Sequence, residues 1–172
     1  MSRKYYSCKY RLNRTDAFLI WFSNEKDGVV TDSAGAVISF ASKRSIKQFA
    51  LREELRLQFE EPTLYDFDLV LGWAASNGKG PIDCSLFLNV WNLLEDISRS
   101  VGDDFDPNLK QTKKLYDKLF WACNLPAVTP VGRKFKPTWS QDDRCLLCSV
   151  LSSGIKCFRS HLAKTKKAGI LK

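Results

Sequence analysis

The sequence predicts an α+β fold, in which an N-terminal antiparallel β-meander of three or four strands packs against a C-terminal bundle of about five helices. Two observations carry this prediction. Apolar residues recur with a period of two over about residues 5–40, and with a period near 3.6 from residue 42 onward. The second half is also punctuated by cap, proline and glycine signals at intervals that suit helices of ordinary length. At 172 residues and 44% hydrophobic content, the chain has the size of a single domain with a substantial core. We read it as one domain over 1–172, with strands over about 5–40, helices over about 43–163 and a basic tail over 164–172.

Phe18-Leu19-Ile20-Trp21-Phe22 is rich in aromatic and β-branched residues, and the Asp27-Gly28 pair after it signals a hairpin turn. Val29-Val30-Thr31 and Ala36–Phe40 supply two further strands, and Tyr5–Leu12 a fourth. Ser42 then caps a helix carrying Ile46, Phe49, Ala50 and Leu57. Thr63 and Asp66 form a capping box for a helix bearing Leu64, Phe67, Leu71 and Ala74, which stops at Asn77–Pro81. Asp83 opens the clearest helix, with Phe87, Val90, Trp91, Leu94, Ile97 and Val101 on one face and Gly102 as its stop. Asp106-Pro107 starts another, with Leu109, Tyr116, Leu119, Phe120 and Cys123. The proline-rich stretch 125–138 is a loop. Ser140 and Asp143 then cap a last helix through Leu147, Val150, Leu151, Ile155, Phe158 and Leu162.

The N-terminal Met1–Tyr6 has no apolar run behind its basic residues, and eighteen consecutive apolar residues occur nowhere. The expectation is therefore a cytoplasmic protein with neither leader nor membrane span. Six cysteines at 8, 84, 123, 145, 148 and 157, mostly inside apolar patterns, then read as reduced thiols. The net charge of +8 is uneven: residues 1–59 carry +5, residues 60–106 carry −8 and residues 107–172 carry +11. Such a chain is electrostatically polarised if the segments stay apart in the fold.

The inventory for chemistry is thin. A Ser-His-Asp or Cys-His site would have to use the single histidine, His161, in the last turn of the final helix, where the helix dipole favours a cation without any catalytic role. Neither a P-loop nor a G-x-G-x-x-G motif occurs. Cys145, Cys148, Cys157 and His161 have the ligand types of zinc, but a continuous helix separates the first pair from the second by about 18 Å. Only a break at Ser152-Ser153-Gly154 would let them converge, so buried free cysteines, and no metal or other cofactor, are the expectation. Of the tryptophans, Trp91 and Trp121 fall at helical spacing and read as core. Trp139, between Pro137 and a helix start, reads as an exposed interface anchor.

Several strings together resemble a known family: Asp27-Gly28-Val29-Val30 before Ser39-Phe40, Leu64-Tyr65-Asp66, Ile82-Asp83-Cys84 with Leu88–Leu93, Tyr116–Trp121, and Asn124-Leu125-Pro126-Ala127. Over about residues 18–162 the chain resembles small bacterial immunity proteins encoded beside polymorphic toxins, including those of contact-dependent growth inhibition systems. The resemblance implies a protein without catalysis of its own that binds a cognate toxin domain, often a nuclease, in the cytosol. Acidic side chains suit a basic nuclease cleft, so Asp66, Asp68, Asp103, Asp104 and Asp106, with Trp139, are the expected contacts. The +8 net charge raises the converse, an acidic toxin met by the basic ends. The alternative is a nucleic-acid-associated protein using Arg159, Lys164, Lys166 and Lys167 on phosphates, with Lys110, Lys113, Lys114 and Lys118 as a further basic row. Zinc-finger, RNP and KH patterns are lacking.

Overall fold

The computed structural model describes residues 3–58, 60–107 and 110–163. Its elements run β1 (Lys4–Leu12), β2 (Thr15–Ser23), β3 (Gly28–Val29), α1 (Lys43–Arg52), β4 (Leu64–Asp66), α2 (Phe67–Ala75), α3 (Cys84–Val101), α4 (Lys110–Ala122) and α5 (Gln141–His161). This is an α+β fold with an N-terminal sheet followed by helices, as expected. The sheet order is β3-β2-β1-β4; β1 and β2 are antiparallel, with Lys4 opposite Ser23 and Leu12 opposite Thr15.

The sheet departs from the expected meander in three places. First, the expected strand over 5–12 is present as β1 and the expected turn before Val29 joins β2 to β3, but β3 is only two residues long and the long hairpin is β1–β2, which turns at Asn13-Arg14, both at positive φ (53° and 59°). Second, residues 36–40 form isolated bridges and no strand. Val37 meets Thr31 and Leu162, and Phe40 meets Phe18. Asp32 draws the chain out of line there, its carboxylate accepting the amides of Ala34 and Ala36. Third, Leu64–Asp66 is a strand, parallel to β1, where the sequence predicted a helix. Thr63 therefore caps nothing: its carbonyl accepts from the Lys9 amide, and Asp66 caps α2 through Leu69. Pairing along an open edge outweighs local helix signals over three residues, because propensity is a weak prior against tertiary context.

The helix caps follow the sequence more closely. Ser42 and Ser140 both form capping boxes, Asp83 accepts from Leu86, and Gly102 ends α3 in the left-handed region at φ 67°. The expected start at Asp106-Pro107 lies before the described helix, which opens at Lys110; Pro107 is buried and its carbonyl accepts from the Thr112 hydroxyl. Leu109 lies outside the described residues, and Leu57 falls beyond the end of α1 to bridge Tyr5.

β2 carries apolar side chains on both faces, as a strand covered on both sides must. Leu19 enters the main core with Tyr10, Phe67, Phe87, Trp91, Ile97, Leu119, Leu151 and Phe158, under α2, α3, α4 and α5. Phe18 and Ile20 point the other way, into a smaller cluster with Phe40 and Ile46 under α1. No described helix is long and apolar enough to cross a membrane.

Candidate interaction surfaces

Two of the acidic residues singled out in the sequence brace the fold. Besides capping α2, Asp66 lies 3.3 Å from Arg11 Nη1. Asp68 accepts from the amides of Asn13 (2.8 Å) and Arg14 (2.6 Å), so it holds the β1–β2 turn. At the same corner, hydrogen bonds from Arg11 and Lys9 pull the Asp16 carboxyl down to about 2.

Asp103, Asp104 and Asp106 follow Gly102. Asp103 accepts from the Phe105 amide at 2.8 Å, and its second oxygen lies 3.7 Å from His161 Nε2. Asp104 and Asp106 are exposed. The last turn of α5 joins the two acidic groups: Arg159 donates to the Asn13 side chain at 3.1 Å, and His161 reaches Asp103. Arg159, a candidate for phosphate, thus already has a protein partner beside the acidic residues. Lys164, Lys166 and Lys167 lie outside the described residues.

A polar cleft of about 670 Å³ opens between β2, β4, α3 and α4, lined among others by Trp21, Tyr65, Asn92, Glu95, Asp96 and Tyr116. Its bonds are made internally. Trp21 Nε1 donates to Asp96 at 2.8 Å, Tyr116 donates to Asn92, and Arg99 spans Glu95 (2.6 Å), Asp96 (2.9 Å) and the Asp27 carbonyl (2.8 Å). Burial pushes the Asp96 carboxyl up, against the opposing pull of Trp21 and Arg99. Both Asp96 oxygens therefore face donors already, Trp21 Nε1 and Arg99, which leaves that carboxylate poorly placed to act as a general base.

The tryptophans exchange the roles the sequence suggested. Trp91 is fully buried, but Trp121 is 46% exposed. Trp139 packs half-buried against the main core, with Lys118 Nζ 5.3 Å from its ring centroid. Lys118 also donates to the Thr138 carbonyl and to Asp143. Burial pushes the Asp143 carboxyl up, yet Lys118 and Ser140 more than offset this and its pKa is lowered overall. Trp139 and Lys118 are a clasp that fastens the 125–138 loop between α4 and α5.

Beyond that clasp lies a surface the sequence did not single out. Trp121, Leu125, Val128, Val131 and Phe135 are all exposed within fifteen residues, and Val131 is entirely so. The loop that carries them has a built shape. Asn124, at φ 49°, donates its side-chain amide to the Phe135 carbonyl (3.0 Å) and accepts from the Phe135 amide (2.6 Å), closing the base, while Thr129 and Arg133 donate within the loop. Lys110, Lys113 and Lys114 on α4, with Arg133, Lys134 and Lys136, are exposed around the same region. The available signal was four apolar residues in a proline-rich stretch with neither helical nor strand period to bury them.

α5 is continuous through Ser152-Ser153-Gly154, so Cys145 and Cys148 stay remote from Cys157 and His161. Cys145 is exposed, Cys148 intermediate and Cys157 buried.

A mixed sheet packed under a helical half defines an α+β protein whose candidate sites are surfaces. No protein-family model matches the chain, and no curated protein matches it. Among solved structures it is similar to the SatS C-terminal domain, crystallised in complex with bromine, with a TM-score of 0.50 and 13% identity over 92% of each chain. At that identity the likeness shows the fold alone.

Proposed function

We propose that this chain is an immunity-type binding protein that neutralises a cognate toxin domain without catalysis of its own, and that its interface is α4 with the 121–136 loop. The observation that carries this reading is the exposed row of Trp121 at the end of α4 with Leu125, Val128, Val131 and Phe135 on a loop closed at its base by the Asn124 bridge. A loop braced at its base loses little conformational freedom on binding. Residues 110–136 hold seven Lys/Arg against Asp117 alone, so the partner surface is acidic with apolar pockets. Aliphatic Leu125, Val128 and Val131 suit a protein partner better than nucleic acid, whose bases stack on aromatic planes. The acidic residues favoured by the sequence are less available, since Asp66, Asp68 and Asp103 already hold turns and caps.

The test is rescue of growth when the chain is co-expressed with a toxin domain encoded beside it, together with co-purification of the pair. Trp121→Ala is expected to weaken binding by about tenfold or more, as central aromatic anchors do, and Val131→Asp with Phe135→Asp to abolish rescue. Lys113→Glu with Lys114→Glu is expected to slow association and flatten its salt dependence. Full rescue by the Val131/Phe135 double variant sinks the proposed face. Absence of any toxin gene alongside sinks the immunity reading itself.

A further inference from the structure

We propose that Asp103, Cys157 and His161 form a metal site of the zinc class, with three protein ligands and an open fourth position. Their ligand atoms all lie within 4.8 Å of one another. Cys157 and His161 are one turn apart on α5, so their side chains share a face. Asp103 reaches them because Gly102 turns the chain sharply off α3, and the Ser98 hydroxyl then holds the following loop at the Phe105 carbonyl (2.6 Å).

The hydrogen bonds narrow which atoms remain for a ligand. His161 Nδ1 lies 3.0 Å from the Cys157 carbonyl, 3.1 Å from Ser160 Oγ and 3.9 Å from Cys157 Sγ; the carbonyl only accepts and the Ser160 hydroxyl already donates to it at 2.7 Å, so both oxygens suit the tautomer with the ring proton on Nδ1. Nε2 then turns a lone pair toward Asp103 Oδ2 at 3.7 Å, and the other Asp103 oxygen already accepts from the Phe105 amide. Two acceptors then face each other across a gap that a cation would bridge, with Cys157 Sγ beside it, within 4.8 Å of both ligand atoms. An imidazole oriented by a carbonyl and a carboxylate oriented by an amide are the outer-shell contacts that metal ligands use.

A mixed sulfur, nitrogen and oxygen set selects zinc-class ions over calcium or magnesium, which prefer oxygen alone. A proton on Nε2 would satisfy the His161–Asp103 pair equally well but leaves the sulfur protonated, so a sulfur–metal bond separates the two cases. On binding, the Cys157 S–H bond breaks, a sulfur–metal bond forms and the proton passes to solvent. The site is independent of the 121–136 surface.

The experiment titrates the chelator-treated, full-length chain with Co2+ as the spectroscopic stand-in for Zn2+. The expected result is one thiolate-to-cobalt charge-transfer band that saturates at one ion per chain and is displaced by Zn2+. Cys157→Ser is expected to remove it. Cys145→Ser and Cys148→Ser leave it intact. His161→Gln and Asp103→Asn, both at half-buried positions, are expected to lower cobalt affinity by more than the about 10–100-fold that outer-shell partners cost. If Cys157→Ser does not fold, these two variants, checked for a native far-UV spectrum, carry the test. No band, a band that survives Cys157→Ser, a band lost with Cys145→Ser or Cys148→Ser, or unchanged affinity in His161→Gln or Asp103→Asn overturns the proposal.

Discussion

Asn13 and Arg14 connect β1 to β2 with both backbones in the left-handed region, the geometry of a two-residue type I′ turn. A left-handed backbone costs an L-residue about 1–2 kcal/mol relative to glycine, and Arg14 bears that cost. Asp68 keeps the turn in place by accepting both amides. Arg14→Gly retains its amide and is expected to raise stability by up to about 1 kcal/mol after the extra freedom of glycine in the unfolded chain is counted. Asp68→Ala is expected to cost about 1.5–3 kcal/mol, the worth of hydrogen bonds to a charged acceptor. Urea midpoints at unchanged slope measure both. A loss at Asp68 within the ±0.5 kcal/mol of ordinary surface changes would reassign that carboxylate to a partner. Asp16 sets a pH dependence at the same corner. Its pKa in the folded chain is about 2, below the ordinary carboxylate value. Its contribution is therefore complete above about pH 4 and is lost as pH falls toward 2. Wild type and Asp16→Asn are expected to differ in urea midpoint at pH 6 and to converge as pH falls through about 2.

Two glycines that look equivalent in sequence behave differently in their helices. Gly154, at the one place where α5 was expected to break if anywhere, lies against α3: an added Cβ would sit 2.7 Å from Leu94 Cδ1 and 2.9 Å from Phe105 Cζ. Gly72 in α2 has nothing within 4 Å. Alanine is better than glycine in a helix interior by about 1 kcal/mol, so Gly72→Ala is expected to raise the thermal midpoint. Gly154→Ala is expected to lower it, because overpacking costs about 1–3 kcal/mol and here exceeds the helix gain. A rise for both would show that α3 and α5 can separate at little cost. The same contrast shows what was legible. Ser42, Asp83, Gly102 and Ser140 act within one turn of themselves, and the sequence places each correctly. β4, the bridges of Val37 to Leu162 and Phe40 to Phe18, and the close approach at Gly154 depend on residues more than twenty to more than a hundred positions away, and no local period encodes them.

Across the molecule, the polarised charge of the sequence is folded back on itself. Carboxylates of the acidic segment meet Arg11, the Asn13 and Arg14 amides and His161, all from the flanking basic segments. Segment charge was legible, but its distribution on the surface was not. The exposed 121–135 row was hidden for the converse reason: Trp121 has helical spacing, and only the packing of α4 shows that it faces outward. The sheet also divides the apolar interior unevenly. The main core takes side chains from both long strands and from α2, α3, α4 and α5, whereas α1 buries only Ile46 and Ala50 over a cluster completed by Phe18, Ile20 and Phe40. Leu51 on α1 is 83% exposed, so its outer side adds little burial. A helix held by so small a cluster opens at a lower free energy than the global transition. Native-state hydrogen exchange is expected to show α1 amides exchanging through a sub-global opening, with α3 and α5 amides the slowest. Ile46→Ala removes about 2–5 kcal/mol of packing, and its effect is expected to appear mainly in α1. If Ile46→Ala lowers protection in α3 and α5 by the same amount, the two clusters unfold as one unit and the sheet transmits the loss across its full thickness.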